Sequence, residues 1–136
     1  MPRYLLIVDY RPGDVAEPMD EWKPEEIRAH MNYYAELNRS LTESGELVGG
    51  EALTGPAQAK EVVSDGRGAT VVTDGPFAEA KEVLAGYQIV EVESEDRALE
   101  IAALVSAVPG PGGVPLRQPI TVRRVMSDAD FDALTA

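Results

Sequence analysis

Apolar residues recur along this chain with two periods, two and 3.6, and the switches between them predict the elements. In "RYLLIVDY", Arg3 to Tyr10, the period is two: Leu5, Ile7 and Asp9 share one face, and Tyr4, Leu6, Val8 and Tyr10 the other. Both faces are apolar, so the pattern predicts a strand covered on both sides, ended by Pro12-Gly13-Asp14. The period then changes. Ile27, His30, Met31, Tyr34, Leu37 and Leu41 fall on one face of a helix from Pro24 to Ser44. Pro24 suits its first position, Glu25 and Glu26 complement the positive helix N-terminus, and Gly45 suits the residue past its end.

Glu46 to Leu53 reads as a second strand, weakened by Gly49-Gly50. Gln58 to Ser64 and Gly68 to Thr73 read as a hairpin about Asp65-Gly66, a strong turn pair. Leu84 to Glu93 reads as a further strand. Ser94 is a suitable N-cap for a helix to about Val108, with Glu95 and Asp96 in its first turn. Pro109 to Pro115 is a loop, and Ile120 to Met126 a closing strand. Ser127 and Asp130 form a capping box for a short terminal helix over about 127–134. The order β-α-β-β-(β)-β-α-β predicts an α+β fold, with two helices on one face of an antiparallel sheet. Two helices cannot cover both faces, so the second apolar face of the first strand predicts a homodimer through the sheet.

Composition narrows this picture. A chain of 136 residues is the size of one domain, and no repeat or long linker divides it. It has no cysteine, which rules out a disulfide framework and a thiolate metal site and fits a cytoplasmic protein. No stretch approaches the ~20 apolar residues that span a bilayer, and "MPRYLLIV" is too short for a signal peptide. A net charge of -12 argues against nucleic acid and against an anionic membrane surface as partners, while leaving basic proteins open.

The candidate chemistry is sparse. His30, the single histidine, lies on the apolar stripe of its helix and so points at the sheet. There the first strand offers Asp9, whose carboxylate can fix the imidazole tautomer and leave the other nitrogen as an acid or base near neutral pH. The alternatives are a core-edge imidazole with one hydrogen bond and a solvated carboxylate at a strand end. Arg28 sits at the flank of the helix, where it can meet an anionic ligand; Tyr33, Tyr34 and Trp22 suit packing or a pocket wall.

Asp74-Gly75-Pro76-Phe77 is complete as a turn: Asp accepts backbone N–H groups, Gly permits positive φ, Pro fixes φ and Phe plugs the core. The same Asp74 can instead face a ligand at a cleft rim, and Lys81, with Glu79 and Glu82, either joins it or forms a solvated face. One histidine and no cysteine do not make a zinc site, and no phosphate-loop, dinucleotide or nucleophile-elbow motif is present. No cofactor is expected.

These residues resemble a known family. "TDGPFAEAKEVLAGYQIVEV", with its E-x-K-E and G-Y, is similar to the signature of the DGPF-domain branch of the YciI-like (YCII-related) proteins, and "YLLIV", "SGELVGGEAL" and "VRRV" fall where that family's elements fall. The likeness runs from about Arg3 to Met126. "RAHMNYYAEL" resembles the R-x-H helix of the wider group, in which a histidine and a first-strand aspartate have been suggested as an active-site pair; the matching positions are His30 and Asp9. The closing strand departs from the family's E-x-R-P: it keeps Arg123 but has Thr121 at the acidic position and Arg124 at the proline.

The resemblance implies a ferredoxin-like fold forming a dimeric α/β barrel, with a pocket between sheet and helices. It implies no settled reaction, and many DGPF genes lie beside genes for extracytoplasmic-function sigma factors. Two functions follow. One is a cofactor-independent lyase, isomerase or dehydrochlorinase-like enzyme on a small polar or aromatic molecule, with His30 and Asp9 catalytic and Asp74, Lys81, Arg28 and Tyr33 binding substrate. The other is a non-enzymatic ligand- or protein-binding regulatory module linked to such a sigma factor.

Overall fold

Proline at one end and glycine at the other bound the longest element. The computed structural model describes residues 1–9, 19–75 and 84–136. In it α1 runs Pro24–Glu43, with Pro24 at its first turn and Gly45 at φ +82° just past its end. There the amide of Glu46 donates to the carbonyl of Leu41 at 2.9 Å, closing the last turn. The strands are β1 (Arg3–Asp9), β2 (Leu47–Ala52), β3 (Lys60–Ser64), β4 (Thr70–Asp74), β5 (Leu84–Glu91) and β6 (Ile120–Arg124); α2 spans Glu95–Ser106 and α3 Asp128–Leu134. Ser94 caps α2 by accepting from the Arg97 amide, and Ser127 with Asp130 makes the capping box of α3.

Four strands form an antiparallel sheet in the order β2-β5-β1-β6. Helix α1 carries the chain from β1 to β2 past β5, and α2 carries it from β5 to β6 past β1, so two β-α-β units interleave. The fold is α+β, as its element order predicts. Tyr4 and Leu6 of β1, Val90 of β5, Leu41 of α1 and Ala98, Ile101 and Ala102 of α2 form one buried cluster, which puts both helices on the same face. On the opposite face Leu5, Ile7, Tyr87 and Ile89 adjoin one another through the register Leu5↔Ile89 and Ile7↔Tyr87, and each is half-buried.

Among the described residues the sheet is open, with β2 and β6 as its two edges, so a single copy forms no closed barrel. Two expectations need correction. The β3–β4 hairpin, predicted from its turn, forms a separate two-stranded sheet instead of extending the main one. Met31 is 56% exposed and off the buried stripe, about 100° round the helix from its neighbour His30. The short terminal helix forms as its capping box predicts, as α3.

The Pro12-Gly13-Asp14 break and the segment from Pro76 to Val83, with Phe77, Glu79, Lys81 and Glu82, lie outside the described residues.

Candidate active site around His30

The two ends of α1 meet different surroundings. Leu41 enters the aliphatic sheet cluster, whereas Ile27, Tyr33 and Tyr34 pack on a second cluster of Trp22, Val108 and Leu116. His30 lies in this aromatic corner, 8% exposed. Trp22 meets its ring edge-on at 5.4 Å between centroids and 73° between planes; Tyr34 does so at 5.2 Å and 62°. Such T-shaped contacts fix the plane of the imidazole as well as bury it.

Its Nδ1 lies 3.0 Å from the carbonyl oxygen of Pro109. A carbonyl can only accept, so Nδ1 carries the proton and Nε2 of the neutral ring holds a free lone pair. Nε2 makes no hydrogen bond among the described residues, and no fully buried side-chain nitrogen or oxygen there lacks a partner. His30 as a whole keeps 8% of its surface exposed. Burial pushes the His30 pKa below its ordinary value, opposed by the hydrogen bond to Pro109. The ring is thus a neutral base at neutral pH. Burial also raises the Tyr34 phenol, reinforced by Tyr33, so Tyr34 stays protonated.

The acceptor of that hydrogen bond is set by a short folded loop. Leu116 N–H donates to the Val108 carbonyl at 2.9 Å and Gly110 N–H to the Val114 carbonyl at 2.8 Å, and a 3-10 turn spans Pro111–Gly113. Glu26, in the first turn of α1, ties the loop to the helix. One of its carboxylate oxygens accepts from the Gly112 amide at 2.6 Å and the other from the Lys23 amide at 2.9 Å. Those two backbone donors, Gly112 first, hold the Glu26 pKa below the usual carboxylate value. Gly110 is needed at its place: a Cβ there would lie 2.6 Å from Leu116 Cδ2 and 3.6 Å from the Trp22 ring.

Asp9 closes β1 at a register irregularity, where the pairing with β5 steps from Val8↔Gly86 to Asp9↔Leu84. A bulge of this kind re-aims the side chains beside it. Asp9 is 8% exposed, and its carboxylate has no hydrogen bond or ion pair among the described residues. Its backbone carbonyl accepts from Gln118 Nε2 at 2.9 Å, while the Gln118 carbonyl accepts from Ser106 Oγ at 2.7 Å. The preceding residue, Arg117, is the one non-glycine at positive φ (+55°) among the described residues. The stretch from Ser106 to Gln118 thus touches both candidate groups: Pro109 meets His30 and Gln118 meets Asp9.

The expected hydrogen bond from the His30 ring to the Asp9 carboxylate is not among the contacts of either residue; the tautomer of His30 is fixed by a backbone carbonyl instead. Tyr33, three residues on from His30, donates its hydroxyl to the Leu104 carbonyl at 2.6 Å, tying α1 to α2. Arg28 is exposed and makes no ion pair among the described residues. Asp74 lies at the base of the β3–β4 hairpin, exposed and ion-paired with Lys60, while Gly75 (φ +148°) is buried. Lys81 lies outside the described residues.

Sequence reasoning missed the Pro109 carbonyl, since a backbone acceptor far along the chain leaves no residue-type signal. It missed Glu26 as a loop tie and Gln118 for the same reason. Among the described residues no group of His, Asp and Glu could hold a metal ion, and no helix is long and apolar enough to cross a membrane.

Comparison with known proteins places this architecture. The model of the YCII-related domain matches residues 2–113, from β1 through the Pro111–Gly113 turn, and so takes in Asp9, His30 and Pro109. The chain belongs to the YCII-related family. It is also 36% identical over 97 residues to an uncharacterised protein of Rhizobium meliloti (strain 1021), an alignment covering 71% of this chain and 77% of that one. The family match stops short of β6, where the sequence departs from the E-x-R-P pattern.

Proposed function

We propose that this protein is a cofactor-independent acid–base catalyst of the lyase, isomerase or dehydrochlorinase kind, acting on a small polar or aromatic molecule. One observation carries the reading: the single histidine is held between Trp22 and Tyr34 with Nδ1 committed to Pro109, leaving Nε2 as a base. His30 Nε2 takes the proton. The imidazolium so formed is stabilised by the carboxylate of Asp9, little exposed at the end of β1. The aromatic walls favour a flat or apolar substrate body. Asp74 and Lys81, in and after the Asp-Gly-Pro-Phe turn, and Arg28 and Tyr33, on the helix that carries His30, are assigned to its polar end. Asp74 can serve there only with its hairpin laid over the site.

A ferredoxin-like layer stacked on a second copy, as a dimeric α/β barrel, belongs to the same proposal; the adjoining half-buried Leu5, Ile7, Tyr87 and Ile89 support it. A cytoplasmic location accords with the absence of cysteine. The second reading is a regulatory module acting with an extracytoplasmic-function sigma factor, favoured by the net charge of -12, which suits a basic partner. It predicts a salt-sensitive complex that His30→Ala leaves intact.

The test is a screen of haloaromatic and hydroxylated small molecules with wild type and His30→Ala, each checked for folding by circular dichroism. Loss of the proton-transfer group should lower turnover about 100-fold or more. Turnover undiminished in His30→Ala would overturn the catalytic role.

A further inference from the structure

The β3–β4 hairpin differs from every other strand pair among the described residues in being exposed along its whole length, on both faces. Its register places Val62 opposite Val72 and Val63 opposite Val71, and these four valines are 59–68% exposed. A two-stranded ribbon is marginal in water unless something covers it. Its tip nevertheless holds itself together. Asp65 Oδ1 accepts from the amides of Arg67 at 2.7 Å and Ala69 at 3.2 Å, and Ser64 Oγ from that of Gly66 at 3.1 Å. Five-residue strands make this a stiff arm of about 17 Å.

Charge distinguishes its two faces. On the Val62/Val72 face, Lys60 and Asp74 neutralise each other. On the Val63/Val71 face, Glu61 stands opposite Thr73, an anion with no partner among the described residues. The open face of the main sheet shows the complement along its β6 edge, away from Glu51, which stands opposite Tyr87 on the β2 edge. Leu5 is opposite Arg123, a cation with no partner among the described residues, set beside the apolar Leu5, Ile7, Tyr87 and Ile89. Two copies of a chain with net charge -12 repel, so a contact needs a place where opposite charges meet beside apolar surface.

We propose that the Val63/Val71 face of the hairpin docks on the open sheet face of a second copy of this chain, with Glu61 against the partner's Arg123. Twofold symmetry makes the contact twice. The inference rests on the dimer proposed above and specifies what helps to hold it.

Sedimentation equilibrium tests it on the full chain, with circular dichroism confirming that each variant folds. The exposed hairpin tolerates substitution, so a change in assembly is not a change in fold. Val63→Asp with Val71→Asp should raise the dimer dissociation constant about 100-fold or more, whereas Val62→Asp with Val72→Asp should change it by no more than about threefold. Glu61→Arg and Arg123→Glu should each weaken the dimer about tenfold, and the two together should restore most of the loss. A dimer indifferent to Val63→Asp with Val71→Asp, or sensitive only to the Val62/Val72 pair, overturns the docking while leaving the dimer intact. A wild type monomeric at ~100 µM, far above the concentrations at which specific dimers form, overturns both.

Discussion

Helix α1 runs through two interiors, and they have been built for different ends. Its C-terminal half lowers Leu41 into an aliphatic cluster with Leu6, Val90 and Ile101, all under 3% exposed. Its N-terminal half faces a smaller cluster in which Trp22, Tyr33 and Tyr34 join Val108 and Leu116, with His30 between Trp22 and Tyr34. The first interior is closed and apolar, and its residues serve only packing. The second leaves one imidazole nitrogen without a hydrogen bond among the described residues and fixes the other through a loop tied down by Glu26. One helix carries both residues, so the packing at Leu41 helps to place the imidazole of His30.

The largest effect is expected at the Leu41 end. Ile101→Ala should cost about 2–5 kcal/mol, since a fully buried side chain leaves a cavity that its neighbours only partly fill. Urea unfolding reads that loss, and an unchanged midpoint would mean that this cluster does not dominate stability. At the aromatic end, Gly110→Ala should cost less, about 1–3 kcal/mol, because its Cβ meets the mobile end of Leu116 before it meets Trp22. Its more telling readout is the His30 NMR signal, which should shift as the Pro109 acceptor moves.

The pH dependence separates the two ends again. Because the folded pKa of His30 lies below its ordinary ~6.5, the unfolded chain binds the proton more readily between the two values. The stability His30 contributes is full above ~6.5 and is lost as the pH falls through the folded pKa. In His30→Gln the unfolding midpoint should vary less across that window than in wild type, while Ile101→Ala should lower the whole curve without changing its shape. A wild-type His30 titrating above ~6.5 would instead place a carboxylate, Asp9 first among them, against the ring. The smallest effect is expected far from both interiors: Lys60→Ala removes an exposed ion pair and should change stability by less than about 0.5 kcal/mol in thermal unfolding.

Much of the fold was legible in the sequence because local chemistry set it. Pro24 and Gly45 bound α1, Ser94 and Ser127 cap the helices they precede, and Asp65-Gly66 turns the hairpin, each through groups within a few residues. The alternation in Arg3 to Asp9 gave the two faces of β1 for the same reason. Met31 misled because an apolar side chain next to a buried one satisfies the pattern without being buried.

Local spacing and capping were enough to specify the elements, the α+β class and the family, and to put His30 on the helix face that enters the interior. Only the tertiary structure decided what His30 meets there. Pro109 lies 79 residues away and offers a backbone carbonyl that any residue would carry, so no residue type announces it. The exposure of the β3–β4 hairpin was decided the same way: alternating valines specify a strand, but whether a strand joins a sheet depends on which edges the rest of the chain leaves within reach.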